Sequence, residues 1–374
     1  MKFIIPSVKL LKSLQALSGL VGNNNTLPIL DDFKFDLRVD SLKITASDLE
    51  TTMTVVLHPE KVEGEGSVTI PARMLLDTLK YLPDVPVTVI VDEESLYVEI
   101  LAGEGRFKLA GHNGDEFPKH NDIVSDIQWT VPAEVMAAGF EKTIFATGSD
   151  ELRPVMSGVY VEMAAEGLTF VATDAHRLVR YIRHDVRMPE KSSFIMPRKP
   201  ITQMKGILAS MTEEPVEITF DNTNVMYKFG EYELYCRLIE GRYVNYEQVI
   251  PKNNPNELVI DRQTFSSAIR RVSVFSNKAT KQVRFHIMGQ SIVLNAEDVD
   301  YNSEAKERLV CEYKGDDIEI GFNARFLDEM LNNVQSSEVK IAMSAPNKAS
   351  LLMPYGVENN TEDLLMLLMP VMLG

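Results

Sequence analysis

Val68-Thr69-Ile70-Pro71-Ala72-Arg73-Met74-Leu75-Leu76-Asp77-Thr78-Leu79-Lys80-Tyr81-Leu82 reads as the end of a strand that runs directly into a helix. Proline stands at the start of the helical turn, where its missing N–H costs nothing. The junction occurs three times at a spacing of 126 residues, as Ile70-Pro71-Ala72-Arg73, Met196-Pro197-Arg198-Lys199 and Phe322-Asn323-Ala324-Arg325. A period this long corresponds to a whole domain, because solenoid units are only about 20–50 residues long. The sequence therefore predicts three copies of one domain.

Apolar positions on both sides of the junction keep the same spacing. They are Val68, Phe194 and Ile320 in the strand, then Leu75, Ile201 and Leu327, and Leu82, Leu208 and Val334 in the helix. Each repeat also begins with a helix of its own, and in the first repeat Val8, Leu11 and Leu14 follow helical spacing. We expect an α+β fold with six helices over six small antiparallel sheets. The expected domains are residues 1–126, 127–253 and 254–374.

Composition limits the class of protein. The 374 residues carry a formal net charge of -16, which excludes a wholly basic nucleic-acid binder. Cys236 and Cys311 lie in different repeats and form neither a disulfide framework nor a metal site, so a reducing cytoplasm fits best. The first residues lack the apolar run of a signal peptide, and the apolar run Leu364–Leu373 is shorter than the ~20 residues that cross a bilayer.

Positive charge is concentrated in the predicted helices. The six segments carry a net charge of +8, so the rest of the chain carries -24. The segments are Pro6–Val21, Pro71–Leu82, Pro132–Ser149, Met196–Ser210, Asp261–Lys281 and Phe322–Gln335. Arg262, Ser266 and Arg270 fall on the helix face opposite Phe265 and Ile269. Two interpretations stay open. In the first, the excess of positive charge is the ordinary variation of surface helices. In the second, the helices share one face of the molecule, and that face contacts phosphates without reading bases.

Two features break the threefold repeat. Asp48 and Asp174 are 126 residues apart and are interpreted as turn residues, but only the second copy continues as Ala175-His176-Arg177-Leu178. A lone histidine at the end of a hairpin is more often structural than functional. The second feature is the run Leu364–Gly374, whose first half predicts a core strand. Beyond Pro370 the run is too apolar for a free tail, and methionine side chains are typical of surfaces that accept several partners.

No catalytic motif is present in the sequence. It has no Gly-rich phosphate loop, no Gly-x-Ser-x-Gly elbow and no His-Glu-x-x-His, and its six histidines are scattered. The sequence therefore predicts neither an enzyme nor a cofactor. From the residues alone, a sequence-independent binder of a polyanion such as nucleic acid competes with an acidic protein–protein scaffold. A hydrolase with a carboxylate pair assembled by the fold is the third alternative.

Several motifs carry a resemblance that covers the whole chain. They are Thr26-Leu27-Pro28-Ile29-Leu30, Ile70-Pro71-Ala72-Arg73, Ala172-Thr173-Asp174-Ala175-His176-Arg177-Leu178, Glu240-Gly241-Arg242-Tyr243, Gly321-Phe322-Asn323 and Met369-Pro370. In these motifs the chain resembles the β subunit of bacterial DNA polymerase III, the sliding clamp family. The resemblance implies a head-to-tail homodimer closed into a ring, with helices lining the hole and sheets outside.

The resemblance also implies a function and a set of partners. A sliding clamp encircles double-stranded DNA without sequence specificity and is not itself an enzyme. It acts in the cytoplasm as the processivity factor of the replicative DNA polymerase. Its implied partners are the polymerase catalytic subunit, the clamp loader and other replication and repair proteins, each inserting a short peptide with apolar anchors.

Site residues follow from the resemblance and from the charged helices. The expected DNA-binding residues are Lys9, Lys12, Arg73, Lys80, Arg198, Lys199, Lys205, Arg270 and Arg271. The family's partner groove would comprise Met156, Thr173, Ala175, His176, Arg177, Leu178, Val244, Val249, Asn323 and Phe326, completed by the tail Leu367, Leu368, Met369, Pro370, Val371, Met372 and Leu373. The dimer seam would place Phe107 and Leu109 of one subunit against Val274 and Phe275 of the other.

The chain departs from the family pattern at several of these sites. Gln248 replaces a groove arginine, Val244 replaces a groove proline, and the tail ends in an added Gly374 without an arginine. In the DNA-contacting loops, Asn24 stands where an arginine is common, and Pro154 and Val155 stand where tyrosines are common. These changes bear on partner preference and on the loop contacts more than on the helices.

Overall fold

The computed structural model describes residues 1–22, 27–125, 127–211, 214–358 and 360–373. Within these ranges there are six α-helices: α1 (Ser7–Leu17), α2 (Ala72–Lys80), α3 (Ala133–Ile144), α4 (Arg198–Ala209), α5 (Arg262–Ser273) and α6 (Ala324–Asn332). The helices α2, α4 and α6 begin at residues 72, 198 and 324, which is the spacing that the sequence predicts. In the described part of the chain, no helix is long and apolar enough to span a bilayer.

The same ranges contain 27 strands, all paired antiparallel. They are β1 (Lys2–Pro6), β2 (Asp32–Leu37), β3 (Leu42–Ser47), β4 (Thr51–Leu57), β5 (Lys61–Glu63), β6 (Gly66–Pro71), β7 (Pro86–Val91), β8 (Tyr97–Ala102), β9 (Gly105–Ala110), β10 (His112–Asn113), β11 (Gln128–Pro132), β12 (Gly158–Ala164), β13 (Gly167–Thr173), β14 (Arg177–Arg183), β15 (Ser192–Pro197), β16 (Pro215–Phe220), β17 (Asn224–Phe229), β18 (Tyr232–Arg237), β19 (Asn256–Asp261), β20 (Gln282–Met288), β21 (Ser291–Asp298), β22 (Ser303–Val310), β23 (Glu312–Lys314), β24 (Ile318–Asn323), β25 (Glu338–Met343), β26 (Ser350–Tyr355) and β27 (Glu362–Leu368).

The chain divides into two compact units. The first consists of Met1–Ala137 with Lys199–Leu238, and the second of Ala138–Arg198 with Ile239–Gly374. In the first unit, a five-stranded sheet has the order β5-β1-β7-β8-β9, and a nine-stranded sheet has the order β10-β6-β2-β3-β4-β18-β17-β16-β11. In the second unit, a nine-stranded sheet has the order β15-β12-β13-β14-β27-β26-β25-β19-β23, and a four-stranded sheet has the order β22-β21-β20-β24.

The expectation of six small sheets is wrong, because the described residues form four sheets. In the first unit β4 of the first repeat pairs with β18 of the second, with Thr51 opposite Cys236. In the second unit β14 of the second repeat pairs with β27 of the third, with Leu178 opposite Leu367. Each pairing merges two predicted sheets into one of nine strands. The other two sheets have the edge strands β5 and β9, and β22 and β24.

The predicted core positions around the junction are buried except Leu82, which is half-buried and follows the end of α2. Leu75 of α2, Ile201 of α4 and Leu327 of α6 are all at most 3% exposed. Pro71 is the last residue of β6 and the N-cap of α2, one position before the helix proper. The single tryptophan, Trp129, is also buried in the first unit, with its ring centre 4.7 Å from that of Phe220 in an edge-on arrangement.

The predicted buried face of α1 is shifted by part of a turn. Val8 is 49% exposed and Leu11 is only half-buried, whereas Leu10, Leu14 and Leu17 are completely buried. Apolar residues occupy two overlapping helical stripes in this segment, and spacing alone does not distinguish them. Only contact with the sheets selects the stripe through Leu10.

Candidate partner groove and cationic helix faces

A tight turn between β13 and β14 presents the second repeat's distinctive residues. The Thr173 hydroxyl donates to the backbone oxygen of Arg177 at 2.7 Å. The backbone N–H groups of His176 and Arg177 both donate to Asp174 Oδ1 at 2.9 Å. Ala175 has a φ of +74°, in the left-handed region. Short polar side chains thus fix the turn through its own backbone and leave His176 exposed.

The first repeat builds the same turn with other side chains on top. Asp48 Oδ1 accepts from the backbone N–H groups of Glu50 at 3.1 Å and Thr51 at 2.7 Å. Leu49 has a φ of +75°, matching the second repeat. The interpretation of the aspartate as a turn residue is therefore confirmed. What distinguishes the second copy is its histidine and arginine, which replace Glu50 and Thr51.

Arg177 is a buried cation with a complete set of partners. Its guanidinium donates to Asp174 Oδ2 at 3.0 Å, to Glu329 Oε2 at 2.5 Å and to the backbone oxygen of Phe145 at 2.7 Å. The group lies 5.3 Å from the ring centre of Phe145 and 4.6 Å from that of Phe326. A charge that is only 6% exposed is tolerated because it is paired and hydrogen-bonded.

The N-terminus of α6 and the chain's tail meet this turn. The rings of His176 and Phe326 are stacked with centres 6.2 Å apart. Asn323 caps α6 by accepting from the backbone N–H groups of Arg325 at 3.0 Å and Phe326 at 3.3 Å. The backbone N–H of Met369 donates to the backbone oxygen of His176 at 2.8 Å. Residues that are far apart in sequence therefore surround His176 in the second unit.

An apolar cluster lies beneath the turn, on the large sheet of the second unit. Leu178 of β14 and Leu367 of β27 are opposite one another and are at most 4% exposed. The cluster's buried members are Val171, Leu178, Ile195, Tyr243, Tyr246, Ala342, Leu351, Leu365 and Leu367, and Val155, Val244 and Ile250 are among the partly buried residues that pack against it. Val249 is 56% exposed and Met156 is half-buried. Predicted groove residues thus form both a buried base and an accessible apolar surface.

The tail passes from one sheet to the other. Its first half is the buried strand β27, as predicted. Beyond Pro370, the backbone N–H of Val371 donates to the backbone oxygen of Gly321 at 2.8 Å and makes a single bridge to β24. Met369 and Met372 are 41% and 72% exposed, so the tail presents methionine side chains to solvent. The added Gly374 lies outside the described residues.

A cavity of about 550 Å³ opens beside the turn. Four predicted groove residues, Met156, His176, Arg177 and Phe326, contribute to its wall. The remaining lining residues are Phe145, Thr147, Gly148, Ser149, Asp150, Arg153, Asp174, Arg198, Arg325 and Glu329. Aromatic rings, guanidinium groups and carboxylates therefore share one recess, which suits a peptide with both apolar and polar side chains.

Within their observed bounds, the six helices carry a net charge of +7. Some of this charge is already neutralised. Lys9 pairs with Glu231 at 3.5 Å, and Lys199 pairs with Asp48. Arg270 pairs with Asp328 at 2.8 Å and Arg271 with Glu307 at 2.5 Å. Four further cations on the helices form no ion pair with any described residue: Lys12, Arg73, Lys80 and Lys205.

One predicted face of α5 is not free. The Ser266 hydroxyl donates to Asp328 Oδ1 at 2.9 Å, and Arg270 Nε donates to the same oxygen at 2.8 Å. Arg262 Nε donates to the backbone oxygen of Ser336 at 2.9 Å. The stripe through Arg262, Ser266 and Arg270 therefore packs beside α6 instead of facing solvent along its length. The expectation that this stripe lies opposite Phe265 and Ile269 was wrong, because at 3.6 residues per turn Ser266 and Arg270 are only one position round the helix from those two residues.

Predicted seam residues lie on the edge strand β9 and directly after helix α5. Phe107 and Leu109 are on β9, where Phe107 is half-buried and Leu109 is buried. Val274 and Phe275 follow the last residue of α5 and are 78% and 41% exposed. The exposed side chains of Val274 and Phe275 are available to a partner.

Family models for the DNA polymerase III beta subunit match most of the chain. The N-terminal domain model matches residues 1–121, the central domain model residues 130–245 and the C-terminal domain model residues 247–371. The beta sliding clamp of Vibrio cholerae is 30% identical over 378 residues, covering all of both chains. This chain belongs to the DNA polymerase III beta subunit family. The Pseudomonas putida beta sliding clamp is 28% identical over 363 residues, which are 96% of this chain and 98% of the relative.

Solved clamps have the same fold. A DnaN sliding clamp from Pseudomonas aeruginosa, solved with griselimycin bound, has a TM-score of 0.94 at 27% identity over all of both chains. A DnaN sliding clamp from Bartonella birtlesii has a TM-score of 0.92 at 28% identity, again over all of both chains. The predicted family and the α+β fold of three clamp domains are therefore confirmed.

The function of the clamp follows from its family. It is a non-catalytic processivity subunit of DNA polymerase III in DNA replication, with DNA, the polymerase and a second copy of itself as partners. Clamps of this family assemble as ring-shaped homodimers. None of these comparisons favours the acidic scaffold as an alternative.

Sequence reasoning missed two hydrogen-bond partners of Arg177. Phe145 and Glu329 are partners of Arg177, one through a backbone oxygen and the other through a carboxylate. Glu329 lies three residues after Phe326 on α6, so helical spacing puts both on one face, and that signal was available. Among the loop departures, Pro154 and Val155 begin a short 3-10 turn, while Asn24 lies outside the described residues.

Proposed function

We propose that this clamp closes with a second copy into a ring around double-stranded DNA and tethers its partners through the groove beside His176. The observation that carries the proposal is the arrangement around Arg177. A buried, fully bonded guanidinium fixes a turn whose exposed histidine stacks on Phe326 and contacts the tail. A rigid turn over an apolar base is the arrangement that a short peptide with apolar anchors requires.

The sheet edges support ring closure. The first unit has a five-stranded sheet ending in β9, and the second has a four-stranded sheet ending in β22. Antiparallel pairing of β9 with β22 of a second copy would give nine strands, the number in each of the other two sheets. Phe107 and Leu109 would then lie near Val274 and Phe275 of the partner. An unpaired pair of edges in every chain would otherwise promote aggregation.

DNA would be held by charge and not by base readout. The proposed contacts are Lys9, Lys12, Arg73, Lys80, Arg198, Lys199, Lys205, Arg270 and Arg271. The acidic remainder of the chain supports this assignment, because it would repel phosphates everywhere except at the helices. Contacts of this kind are independent of sequence and weaken steeply with salt.

The same groove would serve several partners in turn. We assign to it Met156, Thr173, Ala175, His176, Arg177, Leu178, Val244, Val249, Asn323 and Phe326, with Leu367, Leu368, Met369, Pro370, Val371, Met372 and Leu373. The polymerase catalytic subunit, a clamp loader and other replication and repair proteins would compete for it in the cytoplasm. The exposed methionines support a surface that adapts to different peptides. Val244 and the exposed Gln248 would alter peptide preference.

The repeat supports three domains. We propose domains at residues 1–126, 127–253 and 254–374, since the junctions that begin α2, α4 and α6 are 126 residues apart. These boundaries differ from those of the two compact units, because strand pairing joins successive repeats.

Retention on DNA tests the topological part of the proposal. The clamp is loaded onto nicked circular DNA with a clamp loader and then separated by gel filtration before and after linearisation. We expect the clamp to stay on circles and to be lost from linear DNA within the time of the separation. Equal loss from both forms would contradict a closed ring and would leave only ordinary electrostatic binding.

A further inference from the structure

One carboxylate joins two arginines at the edge of the groove. Glu329 Oε2 accepts from Arg177 Nη1 at 2.5 Å, and Glu329 Oε1 accepts from Arg325 Nε at 2.9 Å. The two arginines differ sharply in environment. The side chain of Arg177 is 6% exposed, whereas that of Arg325 is 74% exposed. Glu329 thus connects a buried cation behind the turn with a solvent-exposed cation on α6.

We propose that Glu329 is a positioning residue of the partner groove. It holds Arg177, and with it the turn that presents His176, in the geometry that a partner peptide needs. The inference rests on the proposed function of the groove and adds the residue that ties the groove's turn to a helix.

The bonds of Arg177 explain why Glu329 has this role. Its bond to Asp174 stays within its own turn and cannot fix where the turn sits. Among the described residues, the guanidinium's hydrogen bonds to other elements are those to Glu329 on α6 and to the backbone oxygen of Phe145, just after α3. Phe326, which stacks on His176, is on the same helix as Glu329. Loss of the Glu329 bond would therefore allow the turn to shift against the ring that supports its histidine.

Arg325 bonds to the other oxygen of the same carboxylate, from the exposed side of the helix. It also lines the cavity beside the turn. The control variant is therefore taken at another acidic residue of α6.

Peptide affinity measures the positioning role. A fluorescein-labelled peptide with leucine and phenylalanine anchors is titrated with the full-length clamp, and its anisotropy is followed. We expect Glu329→Gln to bind about tenfold more weakly, because a charge-assisted bond to a buried cation is lost. Asp328→Asn is the matched control on the same helix, since Asp328 bonds to Ser266 and Arg270. We expect that control to stay within about twofold of the wild type.

A double-mutant cycle separates positioning from general damage. Arg177→Lys and Glu329→Gln are combined, and we expect the double variant to bind no more weakly than the weaker single variant, because both changes remove one link. Glu329→Asp should recover part of the affinity, and thermal unfolding confirms that each variant is folded. Wild-type affinity in Glu329→Gln, equal losses in Glu329→Gln and Asp328→Asn, or additive losses in the cycle would each overturn the role of Glu329. A wild-type clamp that binds no peptide would instead refute the groove itself.

Discussion

The turn beside the proposed groove contains a residue whose backbone conformation cannot be predicted from its residue type. Ala175 and Leu49 both occupy the left-handed region at a φ close to +75°, although alanine and leucine are poor residues for it. The sequence indicates a turn at both places through its aspartates, but not the sign of φ. The turn's side-chain hydrogen bonds hold these residues in place, and such bonds cannot be read from residue type alone.

Relief of strain at the turn gives a first prediction. Ala175→Gly should raise the free energy of unfolding by about 1 kcal/mol, because glycine adopts a positive φ without a steric cost. Urea denaturation of the full-length protein measures the change. Ala172→Gly, within the buried strand β13, is the control and should lower stability by a similar amount. A loss of stability in both variants would show that Ala175 is not strained.

The acid dependence of the groove gives a second prediction. Burial opposes ionisation of Glu329, but hydrogen bonds from Arg177 and Arg325 outweigh it and hold the Glu329 pKa below its usual value of 4.5. The folded state therefore binds fewer protons here than the unfolded state. The stabilisation is complete above about pH 4.5 and is lost as pH falls through the folded-state pKa. Urea midpoints measured from about pH 7 to about pH 3.5 should fall less steeply in Glu329→Gln than in the wild type.

At the scale of elements, the sequence predicts the starts of helices correctly but does not predict which distant strands pair. The starts of α2, α4 and α6 follow from the repeat, because proline or asparagine before a helical stripe is a local signal. The pairing of β4 with β18 and of β14 with β27 joins segments more than 170 residues apart. No sequence period encodes such a register, since it depends on how separately folded hairpins meet. The packing of Arg270 beside Asp328 was missed for the same reason.

The division between paired and unpaired cations leads to a third prediction. A variant with Lys12→Ala, Arg73→Ala, Lys80→Ala and Lys205→Ala should lose most DNA affinity, because these cations form no ion pair with described residues and can release counterions fully. The salt dependence of duplex DNA binding is measured between about 50 and 200 mM salt. Its log–log slope should become shallower by up to about 0.9 for each phosphate that the variant no longer neutralises.

A matched variant tests whether the intramolecular pairs matter. Lys9→Ala with Lys199→Ala removes two cations that are already bonded to Glu231 and Asp48. We expect it to change the slope less per cation than the first variant does. Equal effects per cation would mean that the surface pairs exchange freely for phosphate, which is reasonable where ion pairs are weak.

At the scale of the whole molecule, the proposed pairing of the edge strands β9 and β22 between two copies leads to a fourth prediction. Val274→Asp places a charge on an apolar side chain that is 78% exposed, so it should spare the fold and weaken the dimer. Light scattering should show the mass decrease from two chains to one at micromolar protein. Val124→Asp, at a position that is 92% exposed and outside both edge strands, should leave the mass unchanged. A dimeric Val274→Asp would place the seam elsewhere.

Trp129 gives the chain a built-in optical reporter with a restricted view. It is the only indole in the sequence, and it sits against Phe220 in the first unit, whereas the residues of the proposed peptide groove all belong to the second. Its fluorescence should change when β11 and β16 unfold and should not change when a ligand binds beside His176. Denaturation curves from indole emission and from far-ultraviolet dichroism will coincide only when both units come apart together. Two different denaturation midpoints would show that one unit of the subunit is more stable than the other.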